Sequence, residues 1–384
     1  MSRMEPLAAA VLENPACPHG GICTVAFSGG ADSTALLLIL YELRTQLEID
    51  LRAVHVHHGI RGKEADRDAA FCAVLCRQHA IPFQQIAVNV PAYAAEKRLS
   101  EETAARILRY EALEKAAPEG VIATAHHAGD NAETMLFHFI RGSGMKGLRG
   151  ILPRNGRIIR PLLYAEKSEI LAYLVARGQT YEEDSTNASA AYSRNRIRQT
   201  LIPLMIEENP AFLRHMSRTA AMLAADEALL TQQALEAQAA CLEPCRGGMR
   251  GLPAYPKPIR MRIYMQRLEA LPVHVDPSYD MLTAIDALLE AENGKLTITR
   301  NVYAEAWRGI LYIRSTASET AAEIPLQTGE NRVFAGMCCT AVLGDALSRN
   351  HHTADTRSTL DFDRIIGKPY FRQWRGSDRI RLPG

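Results

Sequence analysis

A glycine turn between a short apolar run and a strongly apolar helical segment constrains the fold more than any other feature. It lies in VAFSGGADSTALL, residues 25–37, and consists of Ser28, Gly29, Gly30, Ala31, Asp32 and Ser33. Two successive glycines permit backbone angles and close approaches that other residues would block. Such a turn can direct N–H groups and the two serine hydroxyls toward an anion at the positive end of the following helix. The segment therefore predicts a phosphate-binding strand–turn–helix unit.

The acid within this turn, Asp32, predicts a metal ion. A carboxylate beside bound phosphate repels it, unless the carboxylate holds a divalent cation that also contacts phosphate oxygens. Asp32 is therefore a predicted ligand of Mg²⁺. No lysine follows the two glycines. The turn accordingly differs from the P-loop pattern G-x4-G-K-[ST], in which a lysine reaches the phosphates.

Apolar runs alternate with helical patterns through the first 180 residues. The strand-like runs are residues 22–27, 51–56, 83–88, 121–125 and 157–160, and the helical patterns are residues 31–46, 63–79, 100–117, 130–140 and 165–178. This alternation is typical of βαβ units and predicts an α/β fold with a parallel sheet. Because such sheets bind ligands at the carboxyl ends of their strands, the loops after Phe27, Val56 and Ala125 are the predicted functional loops.

The chain of 384 residues is long enough for two or three domains. After residue 197 the pattern becomes long and helical to about residue 240, with further helices predicted at 259–270 and 279–290 and short strands at 294–314. We predict a catalytic domain at residues 1–205, a helix-dominated domain at 206–318 and a small C-terminal domain at 319–384.

Composition narrows the class of protein. The formal net charge of +1 gives no global signature of nucleic-acid binding, so any RNA contact must come from local clusters of basic residues. The eight cysteines include no C-x2-C pair, which argues against a zinc ribbon or iron–sulfur cluster and favours buried thiols in a reducing cytosol. The longest apolar run, residues 35–41, is too short to span a bilayer, and the N-terminus has no secretory pattern. A cytoplasmic protein without a membrane partner is predicted.

The glycine turn resembles the SGGxDS signature of the PP-loop ATP pyrophosphatase superfamily. Other segments resemble one family within it, the tRNA(Ile)-lysidine synthases. They are AVHVHHGIR at 53–61, TAHHAGDNAET at 124–134, FIRGSGMKGLRG at 139–150, RPLL at 160–163, YEEDSTN at 181–187 and YSRNRIR at 192–198. FRQWRGSDRI at 371–380 is similar to the opening of the family's last domain. The resemblance implies a PP-loop catalytic domain, a tRNA-binding second domain and a last domain that is incomplete relative to the family.

The same resemblance implies the reaction. In the family, the 2-carbonyl oxygen of the wobble cytidine in CAU-anticodon isoleucine tRNA attacks the α-phosphate of ATP, and pyrophosphate leaves. The ε-amine of L-lysine then displaces AMP to give lysidine. The implied cofactors are ATP and Mg²⁺, and the implied partners are this tRNA and lysine. No protein partner is inferred, and a homodimer is left open. The residues expected to bind the nucleotide are Ser28, Gly29, Gly30, Asp32, Ser33 and His55.

Two acids form the predicted lysine site. Asp130 and Glu133 are three residues apart at a helix start, so their carboxylates share one face. The resemblance implies that they hold the substrate lysine, with Arg106 as partner of its carboxylate. The hypothesised acceptor of the ε-ammonium proton is His126 or Glu133. The predicted catalytic residues are Asp32, His126, Asp130 and Glu133. Two alternatives stay open: the acids stabilise their own helix dipole, or His126, His127 and Asp130 bind a metal. His55, His57 and His58 suit either a structural or a functional role.

Arginine clusters are the predicted tRNA contacts, because arginines at this density suit phosphate binding. They are Arg194, Arg196, Arg198, Arg372, Arg375 and Arg379. Ordinary solvated surface charge is the alternative.

Three rival functions also remain: a tRNA 2-thiocytidine synthetase, for which C-x2-C cysteines are absent, an amide-forming synthetase acting on a metabolite, and a nucleotide-binding regulatory module.

Overall fold

The computed structural model describes residues 6–59, 63–182, 193–243, 248–315, 324–332, 338–341 and 370–371. The N-terminal part of the chain is built on a six-stranded sheet. Its strands are β1 Gly21–Ala26, β2 Ile49–His57, β3 Phe83–Ala87, β4 Val121–Ala123, β5 Arg154–Asn155 and β6 Ile158–Ile159. They lie in the order β3-β2-β1-β4-β6-β5. All neighbours are parallel except β5, which pairs antiparallel with β6. The predicted parallel sheet is confirmed, apart from this antiparallel edge strand.

Helices connect and cover the strands. They are α1 Pro6–Glu13, α2 Ala31–Leu43, α3 Lys63–Gln78, α4 Val90–Lys97, α5 Glu101–Ala116, α6 Ala128–Ile140, α7 Met145–Leu148 and α8 Lys167–Ala176. α2 is the central helix of the core, and residues 35–40 along it are all buried. A helix that is apolar on every face is stable only when it is surrounded, and each large side chain so buried contributes about 1.5–3 kcal/mol. The turn before α2 is therefore held in place by the core.

The strand order creates a crevice beside β1. From β1 the chain proceeds to β2 and β3 on one side, and later to β4 on the other. Parallel α/β sheets bind ligands where the order reverses in this way, outside the carboxyl ends of the two diverging strands. Here those ends lead into residues 27–30 and 124–127, two of the three predicted functional loops. The third, after β2, continues into residues 60–62, which lie outside the described residues.

The helical region that follows is interrupted. It contains α9 Ser193–Arg196, a π-helical segment Ile197–Leu201, α10 Ile202–Glu208 and α11 Phe212–Cys241. The break falls at Asn209, whose φ of −145° and ψ of 103° are not helical. Pro210 follows, and a proline disfavours helical geometry in the residue before it.

A second group of elements packs around its own core. α12 Lys257–Glu269 and α13 Tyr279–Glu290 cover one face of an antiparallel sheet in the order β7-β10-β9-β8, whose strands are β7 Met249–Arg250, β8 Gly294–Thr299, β9 Val302–Trp307 and β10 Ile310–Ser315. Two short antiparallel pairs follow, β11 Ile324–Pro325 with β14 Tyr370–Phe371, and β12 Gly329–Arg332 with β13 Cys338–Ala341. The helices and strands predicted for 259–314 are present.

The chain divides into two compact units, Met1–Glu227 and Ala228–Gly384. The three-domain division with boundaries at 205 and 318 remains a prediction. Within the described residues, no helix is long and apolar enough to cross a membrane. Five described cysteines are buried free thiols, namely Cys17, Cys23, Cys72, Cys76 and Cys241.

Gly120, just before β4, permits a close approach between two chain segments. Its φ is +71°, and a Cβ there would lie 2.0 Å from the carbonyl oxygen of Ile22. Gly142 has a similar φ of +70° but no atom within 4 Å of such a Cβ. We expect Gly142→Ala to cost about 1–2 kcal/mol of unfolding free energy, and Gly120→Ala to cost about 1–3 kcal/mol more because it adds overpacking. Urea unfolding of both variants measures the difference, and equal costs would contradict the steric argument.

Candidate active site

The glycine turn after β1 leaves the start of α2 open to a ligand. Gly29 has a φ of +90°, and a Cβ on it would lie 3.2 Å from the Sγ of Cys72. Gly30 caps α2 with extended angles and without a side-chain hydrogen bond. Because glycine has no side chain that could cap them, the first N–H groups of α2 and the positive end of the helix are left available to an anion.

Hydrogen bonds on both sides hold the turn rigid. The Oγ of Ser33 accepts from the Ser28 backbone N–H at 3.3 Å and lies 3.0 Å from the Ser28 Oγ. The carbonyl oxygen of Gly29 accepts from the Thr34 Oγ1 at 3.2 Å and from the Glu182 N–H at 3.0 Å. A turn fixed in this way is preorganised, so little further ordering is needed when an anion binds.

His55 lies beneath the turn. It is buried, and its Nδ1 is 2.9 Å from the carbonyl oxygen of Phe27 and 3.5 Å from the Sγ of Cys72. This packing supports the structural alternative for His55, while its predicted nucleotide contact remains a prediction. The neighbouring thiol is poorly reactive, because burial raises the pKa of Cys72.

A cavity of about 260 Å³ lies at the crevice. Residues from the glycine turn, α5 and the loop after β4 line it, including Ser28, Gly30, Asp32, Ser33, Arg109, Tyr110, Thr124, His126 and Asp130. The fold thus brings together side chains that are about 100 residues apart in sequence. Arg109 was not among the site residues predicted from the sequence, although it lies one helical turn from the predicted Arg106.

Asp32 is surrounded by cationic and titratable groups. Its Oδ1 lies 2.5 Å from the Nζ of Lys167, and its Oδ2 lies 4.0 Å from the Nε2 of His127. The same His127 Nε2 is 3.6 Å from the Oδ2 of Asp130. The carboxylates of Asp32 and Asp130 therefore approach the same imidazole nitrogen.

The two predicted lysine-binding acids share one arginine. The Nη2 of Arg198 donates to the Oδ1 of Asp130 at 2.6 Å, and its Nε donates to the Oε2 of Glu133 at 2.8 Å. The side chain of Glu133 is nearly buried, whereas Arg198 is about half exposed. A guanidinium thus occupies the position that the sequence assigned to a substrate cation.

Asp130 also stabilises its own helix. Its Oδ2 accepts from the backbone N–H of His127 at 3.0 Å, while the His127 Nδ1 accepts from the Gly129 N–H at 3.0 Å. This reciprocal cap satisfies N–H groups at the start of α6. One carboxylate oxygen of Asp130 therefore stabilises the start of its own helix, as the alternative interpretation stated. The other oxygen contacts Arg198.

The two hypothesised proton acceptors differ in basicity. Desolvation, together with the positive charges of Arg160, Arg109 and Arg106, lowers the pKa of His126 to about 4 against the opposing effect of Asp130. Burial raises the pKa of Glu133, and the contact with Arg198 only partly offsets this. Glu133 is thus a stronger base than an ordinary carboxylate, and His126 is a weaker base than an ordinary histidine.

The predicted tRNA arginines do not form one row. Arg194 lies 3.6 Å from Glu102 and stacks over the ring of Phe137 at 5.0 Å, Arg196 is exposed, and Arg198 faces the two acids. Because residues 193–201 are helical, alternate residues point in different directions. Their contact with tRNA remains a prediction. Arg372, Arg375 and Arg379 lie outside the described residues.

The donor set at Asp32 suits a Mg²⁺ ion that is also bound by phosphate. Across the described ranges, no group of three or more His, Cys, Asp or Glu side chains is placed to hold a metal ion. Mg²⁺ at nucleotide sites commonly needs only one or two carboxylates, because phosphate oxygens and water complete its shell. Asp32, with Asp130 close to the same Nε2 of His127, fits that requirement. The alternative metal site formed by histidines and Asp130 alone has no support within these ranges.

The fold and the open glycine turn before α2 define the class of protein to which the chain belongs. The PP-loop domain family matches residues 7–205, which include every element of the site. The chain thus has a PP-loop ATP-binding domain, followed by helices and a small antiparallel sheet, and the predicted fold class is confirmed.

Whole-chain relatives give the family. A tRNA(Ile)-lysidine synthase from Bacteroides thetaiotaomicron is 34% identical over 358 residues, which are 92% of this chain and 79% of that protein. The synthase from Geobacter sulfurreducens is 37% identical over 74% of this chain and 63% of its own length. That from Parabacteroides distasonis is 43% identical over 53% of this chain and 47% of its own length. The chain belongs to the tRNA(Ile)-lysidine synthase family, as its motifs predicted.

The low pKa of His126 makes stability depend on pH. Because folding lowers this pKa from 6.5 to about 4, the unfolded chain binds the proton more tightly. The stability contribution is complete above pH 6.5 and is lost as pH falls toward 4. We expect wild type to lose about 2 kcal/mol more than His126→Gln between pH 7 and pH 5, measured by urea unfolding. Equal losses would contradict this placement of the imidazole.

Proposed function

We propose that this protein ligates L-lysine to C2 of the wobble cytidine in CAU-anticodon isoleucine tRNA, through an adenylated cytidine and with release of AMP and pyrophosphate. The observation that carries the proposal is the start of α2, which has no side-chain cap, behind a hydrogen-bonded glycine turn and beside Asp32 and Asp130 at the same cavity. The family relationship supplies the substrate class.

The first step requires ATP to be held with its α-phosphate accessible. The Gly29 and Gly30 backbone and the hydroxyls of Ser28 and Ser33 would bind its phosphates, because the N–H groups of α2 lie behind them. In-line attack on phosphorus needs positioning and charge stabilisation more than covalent help. The cytosine O2 forms a bond to the α-phosphorus, and the bond to the bridging oxygen breaks with its electrons remaining on pyrophosphate.

Asp32 would hold Mg²⁺ in this state. When bound, Mg²⁺ would neutralise the negative charge of the phosphates. The residue suits this role because it lies in the first turn of α2 and its carboxylate lines the cavity. Two neighbouring side chains, Lys167 and His127, approach the same carboxylate.

The second step requires a neutral lysine amine. With a reference pKa near 10.4, only roughly 0.04% of free lysine side chains are neutral at pH 7, which corresponds to about 4.6 kcal/mol. Asp130 and Glu133 would bind the amino acid, with Arg106 near its carboxylate. Between the two hypothesised acceptors, the raised pKa of Glu133 favours it over His126. The amine must displace Arg198 from these acids, because the guanidinium already satisfies both of them.

The tRNA is expected to contact both the catalytic domain at 1–205 and the domain at 206–318. Arg194 is partly exposed and Arg196 is exposed, and both lie just before Arg198 in the chain, so they suit phosphates close to the reacting nucleotide. Arg198 suits the same nucleotide only after it leaves Asp130 and Glu133.

Radiolabelled lysine tests the proposal. Purified protein is mixed with ATP, Mg²⁺, labelled lysine and unmodified CAU-anticodon isoleucine tRNA. We expect label to enter the RNA only when ATP is present, and a tRNA with a different anticodon serves as the control. Cleavage of ATP without labelled RNA would contradict the lysine ligation while retaining the ATP-dependent class.

A further inference from the structure

One basic side chain outside the glycine turn is bound directly to it. The Nζ of Lys167 lies 2.5 Å from the Oδ1 of Asp32, although 135 residues separate the two positions. Both side chains remain partly exposed, at 44% for Lys167 and 30% for Asp32. A partly exposed ion pair contributes little to stability, so Lys167 can exchange partners at little cost.

The fold fixes the backbone of Lys167. It is the first residue of α8, and the Oε2 of Glu169 accepts from the Glu166 N–H at 2.7 Å, which caps the helix start. Ile170 and Leu174 of the same helix are buried in the core. The segment before α8 is tied to the start of α6, because the carbonyl oxygen of Ala165 accepts from the Ala128 N–H at 2.9 Å. A side chain on a packed, capped helix is well suited to hold a functional group in place.

The turn itself carries no lysine, whereas a P-loop uses one to reach the β- and γ-phosphates. We propose that Lys167, reaching across from α8, binds the β- and γ-phosphate oxygens of ATP and the pyrophosphate formed from them. Asp32 then exchanges its contact with Lys167 for Mg²⁺. This inference rests on the proposed function, since it assigns a further catalytic residue to the same reaction.

Lys167 would act on the leaving group. When the cytosine oxygen bonds to the α-phosphorus, the bridging oxygen departs with its electron pair, and negative charge grows on pyrophosphate. An ammonium within hydrogen-bond distance of those oxygens stabilises the charge without transferring a proton. The interaction would strengthen as the reaction proceeds, so Lys167 contributes to the rate as well as to binding.

A double-variant cycle tests whether Lys167 contacts pyrophosphate directly. If Lys167 only neutralised Asp32, its removal would weaken phosphate binding indirectly, by leaving the Asp32 charge unopposed. That effect disappears once Asp32 is neutral. Binding of inorganic pyrophosphate without Mg²⁺ is therefore measured calorimetrically for the full chain as wild type, Lys167→Met, Asp32→Asn and Asp32→Asn/Lys167→Met. We expect the double variant to bind about 10- to 100-fold more weakly than Asp32→Asn.

Equal dissociation constants for Asp32→Asn and the double variant would overturn the inference and leave the proposed function intact. Absence of pyrophosphate and Mg·ATP binding in wild type would instead overturn the proposed function, and this inference with it. Lys115→Met, which removes an exposed lysine of α5, should bind as wild type. Lys167→Arg keeps the charge, so it should restore most of the affinity lost in Lys167→Met. Thermal unfolding of each variant verifies that it is folded.

Discussion

Asp32→Asn is expected to lower the rate of pyrophosphate release by about 10³-fold, because the amide is a poor Mg²⁺ ligand and charge on the phosphates is left unneutralised. The substitution keeps the shape of the side chain at the start of α2, so the fold should be retained. Stopped assays with CAU-anticodon isoleucine tRNA and ATP measure the release. Asp50→Asn is the matched control, because Asp50 is an exposed acid whose partner is Arg52 on the same strand.

A wild-type rate in Asp32→Asn would contradict the role of this carboxylate. Raising the Mg²⁺ concentration sharpens the test. If Asp32 is a metal ligand, the variant should recover part of its activity at high Mg²⁺. An unchanged deficit at every Mg²⁺ concentration would instead indicate that Asp32 acts only on Lys167 and His127.

Glu133→Gln is expected to raise the KM for lysine about 10- to 100-fold and to lower kcat, because a charged hydrogen bond and a proton acceptor are both lost. In the proposed reaction adenylation precedes lysine attack, so the first turnover of pyrophosphate release should stay close to wild type. Glu114→Gln, on an exposed position of α5, is the control.

The kinetic parameters that change in Glu133→Gln distinguish lysine binding from proton acceptance by Glu133. A raised KM with unchanged kcat would mean that Glu133 binds lysine without accepting its proton. Loss of first-turnover pyrophosphate release would contradict a role confined to the lysine step. Arg198→Ala adds a check, because removal of the guanidinium should make both acids more accessible and tighten lysine binding measured by calorimetry.

Local patterns were sufficient to predict the scaffold. The run into the turn and the apolar helix after it predicted β1 and α2, since both signals lie within adjacent residues. The placement of residues 124–127 beside the turn followed from the rule that parallel strands present their carboxyl ends at one edge. Short elements carried too little periodicity to be found, and α1, α4, α7 and the antiparallel β5 were not predicted.

The pairing of charges at the site could not be predicted, because it depends on tertiary packing. Lys167 reaches Asp32 from α8, and Arg198 reaches Glu133 from a position 65 residues away. The sequence grouped Arg198 with Arg194 and Arg196 as predicted tRNA contacts, whereas the structure pairs Arg198 with the two acids. The contact of Asp130 with Arg198 likewise depends on packing, whereas its cap on α6 involves neighbouring residues only.

The site of bond cleavage in ATP is the most direct test of the whole account. The protein is incubated with α-labelled ATP, lysine and unmodified CAU-anticodon isoleucine tRNA, and the nucleotide products are separated. We expect labelled AMP and an equal amount of pyrophosphate for each lysine transferred, because in the proposed function the turn before α2 would hold the phosphates for attack at the α-phosphorus. Labelled ADP with inorganic phosphate would contradict that account.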